Sequence, residues 1–157
     1  MPNASPSTTL REEQTLIASL TELMKHEQQL LIGADADGLT ALTPQKSQLT
    51  ARMAALAAQR HQALGAAGFA AGEGGMESWL GSCGEPGVMD LWQDLLNLTR
   101  AAKELNRVNG MLINKQMAHN QAILNAMRTP AGGADAGFYG PSGHATGGLA
   151  SRRSVVG

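Results

Sequence analysis

The chain of 157 residues is predicted to be all-α: an antiparallel helical bundle or coiled coil of about three helices, with one long C-terminal helix and a mobile tail. Three observations predict it. The aromatic residues are only two Trp, two Phe and one Tyr. A core must then be built from Leu, Ala, Met and Ile, which suits helix packing; strands favour β-branched and aromatic residues. This disfavours an all-β or doubly wound α/β fold. The 19 glycines are also gathered, eight in residues 65–87 and eight in 129–157, with three elsewhere. Between these blocks, apolar residues recur at intervals of three and four.

Residues 1–8 read as a flexible Pro/Ser/Thr leader. Thr9-Leu10-Arg11-Glu12 then has the form of a capping box, in which a threonine hydroxyl and a glutamate satisfy first-turn N–H groups. Leu16, Ile17, Leu20, Leu23, Met24, Leu30 and Leu31 follow at helical spacing, predicting an amphipathic helix over 9–32 that ends at Gly33. Asp35-Ala36-Asp37-Gly38 has the start of a calcium loop but not its ligand two residues on or its bidentate Glu. It reads as a turn whose acids cap the next helix.

Thr43-Pro44 predicts a helix start, since proline suits the first helical position and threonine caps before it. Leu42, Lys46, Leu49, Met53, Leu56, Arg60 and Ala63 form a heptad seam, so the second helix is placed at 44–66. Within the Gly-rich loop 65–87, the cluster Met76-Glu77-Ser78-Trp79-Leu80 is long enough for one or two helical turns, with Trp79 and Leu80 docked on the bundle. Between Pro86 and Pro130 the seam Leu91, Leu95, Leu98, Ala102, Leu105, Asn109, Leu112 drifts to Ile113, Met117, Asn120, Leu124 and Met127. That drift is the mismatch of a 3.6-residue turn with a seven-residue repeat. A helix over 88–127 would be about 60 Å long, against about 36 Å for the first. Part of its apolar, methionine-bearing face would lack a partner within the chain. Flexible thioethers suit a surface that must repack against a partner.

Helical domain 9–128 is thus followed by a tail, 129–157, too poor in large apolar groups to offset the entropy of ordering. Phe138-Tyr139 stands out there as either a dock on the bundle or a short motif for a partner. Asn109, on the seam, either fixes register or hydrogen-bonds a docked helix.

The net charge of −1 hides an uneven distribution: residues 1–99 carry 5 basic and 11 acidic groups, residues 100–157 carry 7 and 2. Without aromatic interleaving this is a weak signal for nucleic acid. Cys83 is the single cysteine, which excludes an internal disulfide and a thiolate metal cluster and fits a reducing compartment. No signal peptide and no membrane span is read, so a cytoplasmic location is expected. His26-Glu27-Gln28-Gln29 fails the zinc-protease motif at Leu30, the histidines are not paired at ligand spacing, and Gly72-Glu73-Gly74-Gly75 lacks the lysine of a phosphate loop. No enzyme activity, metal or cofactor is expected.

Leu39-x-x-Leu42-Thr43-Pro44-Gln45-Lys46-Ser47, Lys103-Glu104-Leu105-Asn106-Arg107-Val108-Asn109-Gly110-Met111-Leu112-Ile113, His119-Asn120 and the tail Tyr139-Gly140-Pro141-Ser142-Gly143 together resemble the FlgN family of flagellar type III export chaperones. The resemblance implies a cytosolic all-α protein that binds the C-terminal helical segments of the hook-associated junction proteins FlgK and FlgL. It would prevent their premature assembly and deliver them to the cytosolic domain of the export gate protein FlhA. It also implies cargo binding on the late part of the third helix, at Leu105, Val108, Asn109, Leu112, Ile113, Met117, Asn120, Ile123, Leu124 and Met127, and gate binding at Tyr139. The alternative is a homo-oligomeric coiled-coil adaptor, such as a homodimer exposing its seam to a second copy.

Overall fold

A computed structural model describes residues 4–83 and 85–128. The expectations for the tail, including Phe138 and Tyr139, fall outside the described residues. Those described form four helices and no strand: α1 (Leu10–Ile32), α2 (Ala36–Ala66), α3 (Glu73–Cys83) and α4 (Val88–Arg128). The chain divides into two compact units, residues 1–113 and 114–157, so α4 contributes to both.

In the first unit, α1 buries Leu10, Glu13, Ile17, Leu20, Met24, Glu27 and Leu31, an unbroken alternation of three and four that gives the helix one continuous core-facing seam. Its start differs from the predicted capping box. Thr9 is itself helical in φ and ψ and caps nothing with its side chain. Its hydroxyl donates instead to Glu13 Oε2 at 2.9 Å. A preceding turn does the capping: the N–H groups of Thr8 and Leu10 donate to the carbonyls of Ser5 and Ser7, leaving the hydroxyl free for the buried carboxylate.

α2 begins eight residues before the predicted Thr43-Pro44 start. Asp35 is its cap, accepting from the Gly38 N–H at 2.9 Å, and the three residues 33–35 suffice for the reversal because Ala34 takes a left-handed φ of 53°. Pro44 lies inside the helix on an exposed face. Its missing N–H costs one helical bond, and the buried Leu42 with half-buried Leu39 offsets that loss. Thr43, far from capping, donates to the Leu39 carbonyl. At its other end α2 stops in a Schellman turn: Phe69 N–H donates to Leu64 O and Gly68 N–H to Gly65 O. Gly68 has φ 90°, which glycine adopts without a Cβ clash.

The Gly-rich segment 65–87 holds a helix of 11 residues, longer than the expected one or two turns. Met76, Trp79 and Leu80 are buried in the core with Leu10, Leu64, Val88 and Trp92, and this burial outweighs the poor helix propensity of Gly74, Gly75 and Gly81. Packing also demands one glycine: a Cβ on Gly75 would collide with the Ala70 carbonyl.

Polar ties define the helix directions. Glu12 pairs with Arg52, Glu13 with Arg60 and Glu27 with Lys46, so α1 and α2 are antiparallel. Gln14 donates to the Leu91 carbonyl and Asn109 to that of Met24, so α1 and the first part of α4 are parallel, with α3 closing the end where both begin.

Within the second unit, residues 114–128 are exposed apart from the half-buried Gln116.

Candidate functional site

Two buried polar clusters and one open apolar stripe are the features from which a function can be built. The first cluster centres on Arg60. Its Nε lies 3.0 Å from Glu13 Oε2 and its Nη2 3.1 Å from Glu73 Oε1, while its guanidinium carbon stands 4.9 Å from the Trp92 ring centre. Side chains from α1, α2, α3 and α4 thus meet on one guanidinium. Burial opposes its charge, but hydrogen bonds to Glu13 and Glu73 and their Coulomb attraction outweigh it and raise its pKa above the ordinary value. Burial likewise opposes the Glu73 charge, and hydrogen bonds from Arg60 and His61 overcome it, holding that carboxyl below the usual range.

The second cluster lies farther along the same seam. Lys46 Nζ reaches both Glu27 oxygens, at 3.1 and 3.2 Å, and Asn106 Oδ1 at 2.8 Å. Asn109 Nδ2 donates to Glu27 Oε1 and to the Met24 carbonyl, each at 2.8 Å. Asn109 is 1% exposed, and its Oδ1 accepts no hydrogen bond from the described residues. Among the described residues no group of three or more His, Cys, Asp or Glu could hold a metal ion. Each cluster pairs its buried charges with an opposite charge, an arrangement that fixes register rather than activates a nucleophile or a base.

The stripe occupies α4 in the second unit. Met117, Asn120, Leu124 and Met127 recur at intervals of three, four and three, with Ile123 beside them, all within about 120° of the helix circumference at 100° per residue. Met117 is 64% and Met127 75% exposed, with Ile123 and Leu124 near half. Such a face on an otherwise polar helix end marks a surface for another apolar surface.

The residues expected on the cargo face separate accordingly. Met117, Asn120, Ile123, Leu124 and Met127 stand open in the second unit. In the first, Ile113 is exposed, Val108 and Leu112 are half-buried, and Leu105 packs against the core. Asn109, expected on the cargo face, is not on an open face: it is buried and its amide donates to the Met24 carbonyl and to Glu27 of α1. Sequence reading missed Glu13 and Glu27, which occupy seam positions of α1 fourteen residues apart. A pattern search that counts only apolar residues passes over them, although basic and amide seam residues on α2 and α4 (Arg60, Lys46, Asn109) were their available counterparts.

These features define an all-α helical-bundle protein, with polar groups that hold helices together and an apolar strip left open. The FlgN protein family model matches residues 1–147. The flagella synthesis protein FlgN of Yersinia enterocolitica is 30% identical over 142 residues, spanning 89% of this chain and 88% of that protein. The same protein from Y. enterocolitica serotype O:8 / biotype 1B matches with the same identity and coverage. No solved structure matches. The chain belongs to the FlgN family, and its role is in flagellum assembly. No helix among the described residues is long and apolar enough to cross a membrane.

Proposed function

We propose that the protein is a non-enzymatic cytosolic export chaperone that holds the C-terminal helical segments of the junction proteins FlgK and FlgL and delivers them to the export gate protein FlhA. The observation that carries this reading is the open stripe of Met117, Leu124 and Met127 in a member of a flagellar family. A disordered cargo segment folds as an amphipathic helix against that stripe, and the entropy of ordering keeps the affinity low enough for release. Tyr139, in the tail, is assigned to the gate.

Burying Met117, Ile123, Leu124 and Met127 is worth about 1.5–3 kcal/mol each before association costs. The double substitution Met117→Asp/Leu124→Asp is therefore expected to weaken cargo binding by at least about a hundredfold without loss of helicity. Co-purification with full-length FlgK, with circular dichroism as the folding check, tests it; unchanged binding refutes the assignment. Tyr139→Ala should lose FlhA binding and keep cargo.

A further inference from the structure

Two clefts, of about 380 Å³ and about 530 Å³, open between α2 and α4 in the first unit and share Met53, Thr99 and Lys103 as lining. They are therefore one continuous groove. From Trp92 to Asn106 on its α4 wall it runs roughly 21 Å, about four helical turns. Its floor is apolar and buried, with Ile17, Leu20 and Met24 at one end and Leu95 and Trp92 at the other. Small side chains, among them Ala54, Ala57 and Ala102, line its walls, so α2 and α4 do not close over it.

The groove is electrically polarised. Its α3 end carries Glu13, Glu73 and Glu77 around Arg60, with Lys103 only at the border with the other cleft, and of these acids Glu77 makes no hydrogen bond or ion pair among the described residues. Its other end carries Lys46 and Lys103, where Glu27 neutralises Lys46 and Lys103 is unpaired among the described residues. An apolar floor with small walls matches the ridge of a helix. The charge gradient then specifies which way that helix lies: its positive N-terminal end against the acids and its negative C-terminal end against the lysines.

We propose that this groove docks a partner protein's amphipathic helix of about four turns, basic in its first turn and acidic in its last, running parallel to α1 and antiparallel to α2. This adds a second protein-binding surface, independent of the cargo stripe at residues 114–128. The required charge order opposes the one that stabilises an isolated helix, in which acids come first and bases last. Preference for it therefore reports the groove rather than the peptide's own helicity.

The test uses the full chain and two fluorescein-labelled peptides of about 16 residues with an identical Leu/Ala face. One has two Lys in the first turn and two Glu in the last; the other has these exchanged. Fluorescence anisotropy is expected to show at least tenfold tighter binding of the Lys-first peptide. Ala54→Trp, which fills the groove from an exposed position, should lose that binding at least tenfold, and Glu77→Lys should erase the preference. Met117→Asp/Leu124→Asp should leave it unchanged, so failure of the cargo assignment and failure of the groove are separable. Equal affinity for the two peptides overturns the proposal. So does full binding by Ala54→Trp, or affinity weaker than about 100 µM for both peptides.

Discussion

Replacing Arg60 by methionine removes the one cation that all four helices share while keeping much of its stem volume. Glu13, whose side chain is 4% exposed, would then keep only the Thr9 hydroxyl at 2.9 Å. Leaving one partner of a buried ion pair uncompensated costs about 3–5 kcal/mol. The exposed Glu73 rehydrates and adds little. Loss of the guanidinium over Trp92 costs up to about 2 kcal/mol, of which sulfur–aromatic contact returns about 0.3–1.5 kcal/mol. The net remains about 3–5 kcal/mol, a fifth or more of the 5–15 kcal/mol typical of a domain. Urea unfolding followed by helical circular dichroism measures it. Adding Glu13→Gln to Arg60→Met removes the stranded charge while preserving an acceptor for Thr9, so the double variant is expected to recover at least half of the loss. A loss under about 1 kcal/mol for Arg60→Met, or additive losses in the double variant, would refute the view that an unpaired carboxylate sets the penalty.

Gly75→Ala should destabilise by about 1–3 kcal/mol, against the usual gain of about 1 kcal/mol for such a change in a helix, because the new methyl meets the Ala70 carbonyl. Gly81→Ala, with nothing near its Cβ, should stabilise; thermal melts of the pair decide it. Glu73, held below its ordinary 4.5 by Arg60 and His61, contributes stability that is present above that value and lost as pH falls through the depressed one. Its advantage over Glu73→Gln, under about 1 kcal/mol after screening, should be constant well above 4.5 and shrink progressively as the pH falls below 4.5, in melts taken from neutral to acid pH.

Legibility in the sequence followed the kind of signal. α1 and α4 were visible because a 3-4 apolar alternation persists over many turns and no proline competes. The start of α2 was misplaced because Thr43-Pro44 has the local chemistry of a helix start, and the Asp35 cap upstream let the helix run through it. α3 was underestimated because its glycines argue against a helix, and what holds it is burial of Met76, Trp79 and Leu80 against residues distant in sequence. The open face of α4 was half legible. Periodicity marks an apolar stripe without saying where partners end, so the committed residues Leu105 and Asn109 could not be separated from the exposed Met117 and Met127. Buried carboxylates escaped because Glu13 and Glu27 become seam residues only once a base or an amide faces them.

The short glycine-bearing helix at the closed end of the bundle has a kinetic consequence. Segments under about 12 residues are marginal as isolated helices, and α3 has 11 residues with three glycines. Its hydrogen bonds can persist only while Trp79 and its neighbours are seated, so folding and docking are a single event that follows assembly of the longer helices. In unfolding the order reverses: amides of α3 exchange with solvent through openings that leave the long helices intact.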